Sequence, residues 1–327
     1  MGRSYYVFSP GVVRRKENTI VIEIEKEDRI ERKILPVEDV EQIFFMSDVN
    51  INSRFLEFVS KNEITLHFFN HYGYYTGSFF PRKRSISGFV LVKQVEHYLD
   101  SEKRLALASK FVSGALHNIR RILEKRGYDE VHEKIKKYEE ELKSAKSIVE
   151  LMSIEAHSRK AYYSVWSSIT GWELVSREIR PPSNELNALI SFGNSLVYSY
   201  VLKEIYHTPL NPAISYLHEP SEKRFSLALD ISEIFKPIFV DRLIFRLINQ
   251  GILKKDEHFE QDLEGVFLNE TGRKIFIQKF DELMNVTILH RALGRKVRYQ
   301  SLIRLEIYKI LKHILGDKEY KPLKVWW

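Results

Sequence analysis

The sequence predicts an α+β protein in which a small N-terminal β-sheet or β-sandwich domain, residues 1–87, precedes a larger all-α domain, residues 92–327. Three observations carry that prediction. Apolar and polar residues alternate with period two early in the chain, a helical period takes over from about Val92, and a stretch punctuated by Pro, Ser and Gly lies between them.

The β domain is legible strand by strand. In Thr19 to Glu25, Ile20, Ile22 and Ile24 fall on one face and Glu23 and Glu25 on the other, the pattern of a half-buried strand. Glu17-Asn18 and Asp28-Arg29 bracket it as turns, and a second run, Ile30 to Leu35, stops at Pro36 because proline cannot extend a strand ladder. Asn52 to Ser60 reads as one short helix, with Phe55, Leu56 and Val59 at helical spacing. Two more strands follow, Ile64 to Phe69 and Tyr72 to Phe80, the second interrupted by Gly73 and Gly77. The linker is Pro81 to Gly88, whose basic triplet Arg82-Lys83-Arg84 is either solvated or in contact with phosphate.

Helices are expected near 92–126, 129–144, 147–170, 184–207, 230–250, 271–290 and 297–315. The gap from Thr208 to Leu229 carries Pro209, Pro212 and Pro220, so it is a long loop inside a helical domain, the kind that is usually functional.

Composition excludes several classes. With 327 residues, 44% of them hydrophobic, the chain can bury one large core or two ordinary ones, and disorder is excluded. It has no run of eighteen apolar residues and no secretory leader at its start, so a cytoplasmic protein is expected, away from the membrane. It has no cysteine, which removes disulfides, thiolate nucleophiles and Cys-ligated zinc and leaves carboxylates and imidazoles to bind any metal. Those ligands suit Mg²⁺ or Mn²⁺. The net charge of +7 points to an anionic partner, though 44 acidic residues stand against 51 basic ones.

Three elements together carry a chemistry. On the helix around Leu151 to Ser158, a seam runs through Ile148, Leu151, Glu155, Ser158, Tyr162, Trp166 and Ile169. A carboxylate among such neighbours needs compensation, so Glu155 is either a metal ligand or a core glutamate paired with an arginine. His157, two positions on, points to a different face. His218 lies in the proline-stiffened loop after Asn211-Pro212-Ala213-Ile214. Asp230 and Glu233 stand three apart on one helix face, where Asp230 could alternatively cap the helix, and Asp241 lies a little over two turns beyond Glu233. Two carboxylates and an imidazole make a partly open site able to admit phosphate and water to a hard cation.

At these residues the chain resembles the CRISPR-associated integrase family, the first-numbered and most widespread of the Cas proteins. The resemblance rests on Ile154-Glu155-Ala156 before Tyr162-Tyr163, on Asn187 to Gly193, and on Asn211-Pro212-Ala213-Ile214 through His218 to the stretch ending Asp230-Ile231-Ser232-Glu233-Ile234-Phe235-Lys236-Pro237. It implies metal ligation by Glu155, His218 and Glu233, with Asp230 as a supporting acid and Asn187, Ser191 and Tyr198 nearby. Lys236 stands where the family often has arginine, which keeps the charge and loses bidentate geometry. Also implied are a homodimer formed through the β domains and a small partner, the second-numbered Cas protein. The implied reaction is attack by a 3′-hydroxyl of a short double-stranded DNA, the prespacer, on a phosphodiester of the CRISPR repeat. Arg291, Arg295, Lys296, Arg298 and Arg304 form a basic run that reads as a track for duplex backbone, or as a solvated basic face. Asn187, Ser191, Lys236 and Arg242 join the first four of these as candidate DNA contacts, with helix packing as the alternative for Asn187. The competing readings are a structure-selective metal nuclease and a non-catalytic DNA-binding scaffold.

Overall fold

A computed structural model describes residues 2–26, 29–82, 85–178, 181–220, 225–262 and 265–327. Of the features expected above, Asp28, Lys83, Arg84 and residues 221–224 of the long loop lie outside the described residues. The chain divides into two units, Met1–Ser85 and Ile86–Trp327.

In the first unit, β1 (Arg3–Val7), β5 (Val40–Phe45), β7 (Thr65–Phe69) and β8 (Tyr75–Phe79) form one sheet in that order. The other sheet runs β4 (Arg29–Pro36), β3 (Thr19–Lys26), β2 (Gly11–Lys16), β6 (Val49–Ile51). Side chains from both, including Val13, Ile20, Ile22, Ile43, Phe45 and Leu66, meet in one core with Phe55 and Val59 of α1 (Ser53–Lys61). Asn52 starts α1 by accepting the Phe55 N–H at 2.9 Å, as an N-cap should. On the solvent side of β3, Glu23 lies opposite Arg32 and diagonally across from Arg14, and both arginines bond it at 2.8 Å. Central β5 is flanked by parallel neighbours on both sides and is buried along almost its whole length, so it lacks the alternation that marks β3.

The second unit contains α2 (Gly88–Leu99), α3 (Ser101–Glu124), α4 (Asp129–Glu141), α5 (Ile148–Tyr163), α6 (Trp166–Thr170), α7 (Glu185–Tyr206), α8 (Ser226–Phe235), α9 (Arg242–Asn249), α10 (Lys255–His258), α11 (Glu270–Met284) and α12 (Tyr299–Ile314). The helix expected over 92–126 is two helices. Asp100 leaves the first with extended backbone and caps the second, accepting the N–H groups of Glu102 and Lys103. The one expected over 147–170 is likewise broken after Tyr163. The helix expected from 230 begins at Ser226. The domain is also not purely helical. β9 (Phe259–Asp262) pairs with β10 (Gly265–Leu268), and β11 (Thr287–His290) with β12 (Arg295–Arg298), each as an antiparallel ribbon. The last expected helix therefore starts at Tyr299, and the one before it ends at Met284.

Between α8 and α9, Lys236–Asp241 is wound as a π-helix. Pro237 has no N–H to return to the carbonyl of Glu233, and the widened turn absorbs the defect. Opposite it, α7 carries Gly193, where a Cβ would lie 2.5 Å from Cγ1 of Val240 and 3.1 Å from the Phe276 ring. The absent side chain lets α7 approach the π segment closely.

Candidate metal centre and nucleic-acid interface

Asp230 sits in the second turn of α8 rather than at its start, so it does not cap the helix. Its carboxylate is fully buried and organises the loop before the helix instead. Oδ2 accepts the N–H groups of Tyr216 and Leu217 at 2.7 and 3.0 Å, and Oδ1 accepts the N–H of His218 at 3.0 Å. Oδ1 also lies 2.8 Å from Nδ1 of the same histidine. One carboxylate thus fixes both the backbone of the loop and the imidazole it presents. With Nδ1 held, Nε2 is the ring atom left to meet a ligand. Burial disfavours the charged ring, but the bond to Asp230 and that group's charge outweigh it, so the His218 pKa is raised.

Glu155 and Glu233 come together differently. Arg159, one turn along α5 from Glu155, donates to Glu155 Oε1 from Nε at 3.1 Å and to Glu233 Oε2 from its terminal nitrogen at 2.6 Å. Lys236 pairs with the other oxygen of Glu233. Burial would push the Glu233 carboxyl up; the charges of Lys236 and Arg159 overcome it and hold the group well below the ordinary carboxylate range. Among the described residues no three His, Cys, Asp or Glu side chains stand close enough in this conformation to hold an ion. The two glutamates do lie within the span of one guanidinium, with His218 near enough to feel the charge of Glu233.

One further helical turn on, Tyr162 and Tyr163 follow Arg159 along α5, while Asp241 closes the π segment beyond Glu233. Burial lifts the Asp241 carboxyl to about 7, and the neighbouring Arg159 only partly opposes this. Burial also raises the Tyr163 hydroxyl to about 12. Tyr162 and Asp241 face each other closely enough to interact, but neither the phenol oxygen nor Asp241 Oδ2 makes a well-aligned hydrogen bond.

The remaining expected residues fall into two groups. Asn187 is fully buried and its amide is saturated: Oδ1 accepts from Arg177 and the Glu178 N–H at 3.0 Å, and Nδ2 donates to Ser176 O and Ser183 Oγ at 2.9 and 3.2 Å. Ser191 accepts from the same Arg177 at 3.0 Å. Both therefore pin the segment before α7. Tyr198 receives the N–H of Phe225 at 3.2 Å. Arg304 forms a double pair with Glu204, at 2.6 and 3.2 Å, and its side chain stays 45% exposed. Arg291 lies over the Trp326 ring at 5.3 Å, Arg295 and Lys296 are exposed on β12, and Arg298 is half-buried at its end. Arg242 opens α9, near Tyr299. The sequence reading omitted Arg159. Its signal was present: positions 155, 159 and 162 share one face of a helix.

Fold and site define a class of protein with a β unit and a mainly helical unit, the latter bringing two glutamates under one cation beside a carboxylate-held histidine. The family model for CRISPR associated protein Cas1 matches residues 5–282. The chain is 58% identical over 325 residues to the CRISPR-associated endonuclease Cas1 2 of Moorella thermoacetica, covering 99% of this chain and 100% of that one. The structure of a CAS1 protein from Thermotoga maritima superposes with TM-score 0.88 at 41% identity, covering 97% of this chain and 99% of that one. A casposase bound to integration product gives the same TM-score at 18% identity over 98% of this chain and 92% of that one, a likeness of fold alone. The chain belongs to the Cas1 family.

Proposed function

We propose that this chain is the divalent-metal-dependent integrase and endonuclease of CRISPR adaptation, joining the 3′-hydroxyl of a short DNA to a phosphodiester of the CRISPR repeat. The observation that supports it most is the sharing of one cation, Arg159, by Glu155 and Glu233 from separate helices, with His218 beside them. The donor set fits a hard divalent ion: two carboxylates already under one positive charge, and an imidazole whose second nitrogen is fixed by a carboxylate. Glu155, His218 and Glu233 would hold Mg²⁺ or Mn²⁺, which when bound lowers the pKa of an attacking hydroxyl and neutralises charge building on phosphate oxygens.

The chain's own groups do the rest. Asp230 keeps the His218 ring in one orientation, so no reorganisation of the loop is needed when phosphate arrives. Lys236 supplies a second positive charge at the same carboxylate, one that would attract a phosphodiester. Arg295 and Lys296 on the exposed ribbon hold duplex backbone away from the chemistry. In this reading the chain acts as a homodimer with a small second Cas protein, and the same site cuts DNA when water replaces the sugar hydroxyl. Among the described residues no helix is long and apolar enough to cross a membrane.

A second reading, a non-catalytic DNA scaffold, draws support from the pairing of both glutamates with an arginine. One assay separates them. A fluorescent duplex with free 3′ ends is incubated with a supercoiled repeat-bearing plasmid, with Mn²⁺, Mg²⁺ or EDTA. Label on the plasmid only with metal is expected. Metal-dependent cutting without transfer leaves a plain nuclease, and unchanged DNA binding with neither reaction leaves the scaffold. Replacing Arg295 or Lys296 by alanine should lower the salt slope of duplex binding by about one each.

A further inference from the structure

Arg159 raises a problem of charge. It is buried, 8% exposed, and its two acceptors are the carboxylates that would take a divalent ion. A guanidinium and a divalent ion held by the same pair would repel each other in a poorly solvated place, and a buried guanidinium without an anion is strongly disfavoured. Arg159 therefore needs another acceptor within the reach of its own side chain.

Asp241, whose charge already acts on Arg159, is the candidate. Along α5 the order is Glu155, Arg159, Tyr162; along α8 and the π segment it is Glu233, then Asp241. Glu155 and Glu233 share Arg159, and further along each series Tyr162 neighbours Asp241, so the two series run in step, and Arg159 feels the charge of Asp241. Asp241 is 2% exposed, and its carboxylate and the facing Tyr162 hydroxyl interact only loosely, with Oδ2 meeting no well-aligned donor. Buried polar atoms in native proteins are nearly always satisfied, so a buried carboxylate whose Oδ2 meets no well-aligned donor has room for a further one. The π turn that carries Asp241 is the kind of irregularity that proteins retain where function demands it.

We propose that Arg159 is a placeholder cation that leaves Glu155 and Glu233 for Asp241 when those glutamates and His218 take up a divalent ion. Asp241 and Tyr162 then act as positioning residues: they never touch substrate and set how readily the glutamates are released. Arg159 keeps the unloaded site from collapsing or repelling itself, and Asp241 lowers the cost of loading it. This inference rests on the metal reading given above.

The test is Mn²⁺ binding to the full-length protein freed of metal with EDTA, followed by calorimetry, with thermal melting of the unloaded forms alongside. Asp241→Asn should weaken Mn²⁺ binding about tenfold, a coupling in the usual range between linked sites, and leave the unloaded protein folded. Arg159→Met should lower the unloaded melting temperature and tighten Mn²⁺ binding, because the competing cation is gone. In the Arg159→Met background, Asp241→Asn should no longer matter. Binding by Asp241→Asn within twofold of the wild type overturns the inference, as does a penalty that survives unchanged once Arg159 is gone. If Arg159→Met does not fold, the Asp241→Asn affinity decides alone. A wild-type protein that binds no Mn²⁺ sinks the metal reading itself, and this inference with it.

Discussion

The two halves of the candidate site are built on opposite principles. Around Asp230, one buried carboxylate accepts three backbone N–H groups and an imidazole, so its charge is met by fixed dipoles and nothing has to move before a ligand binds. Around Arg159, two carboxylates are met by side-chain cations, and on the metal reading those carboxylates exchange partners before they serve an ion. The difference teaches that a site can be rigid where it presents an imidazole and convertible where it presents carboxylates. It also predicts that substitutions in the halves will separate stability from chemistry.

The largest effect should come from Glu155→Ala. Its side chain is 25% exposed and Arg159 keeps Glu233 as a partner, so the loss of a partly solvated pair should cost no more than about 1 kcal/mol of stability. Strand transfer should fall at least about a hundredfold, because one of three ligands is gone, while duplex affinity stays within a few fold. Plasmid labelling and fluorescence anisotropy measure the two. Retained transfer would remove Glu155 from the ligand set and break the comparison at its convertible half.

Asp230→Asn probes the rigid half. The amide keeps one acceptor and turns a donor toward N–H groups that need acceptors, so urea unfolding should show a loss of about 3 kcal/mol. Transfer should fall too, since the His218 ring loses the partner that orients it. If Asp230→Asn is as stable as the wild type, the loop is held by something other than this carboxylate.

How much of this was legible depended on whether a residue's role is local. The isoleucine alternation of β3 and the Asn52-capped α1 follow from neighbours in sequence, and the β-then-helical order followed with them. Asp100 was read through because a helix end and a helix start share it, and the apolar period on its two sides hides the break. The ribbons at 259–268 and 287–298 were missed because four-residue strands carry too few alternations to outweigh the helical period around them. At the site, spacing brought out Glu155, Asp230 and Glu233. It did not reveal that Asp230 serves a loop 12 to 14 residues earlier, nor that Arg159 pairs with Glu233, 74 residues away in sequence, since tertiary pairing leaves no periodic trace.

The smallest effect sharpens the comparison most. Burial raises the Asp241 carboxyl from an ordinary 3.8 to about 7 in the folded chain. The folded state then holds a proton that the unfolded chain has released, so this group's contribution is fully present below 3.8 and disappears as pH rises through 7. Between pH 6 and 8 it should fall by about 1 kcal/mol. The raised His218 slopes the same way, and the depressed pKa values of His117, His290 and His313 slope the other, so the wild type alone is uninformative. The difference between the wild type and Asp241→Asn isolates the term: urea midpoints should converge as pH rises from 6 to 8 if the wild type starts the more stable, and diverge if it starts the less. Saturating Mn²⁺ should flatten that difference, because an arriving guanidinium keeps Asp241 ionised throughout. A pH-dependent difference that persists with metal bound would mean that Arg159 stays with the glutamates, and that the convertible half of the site does not convert.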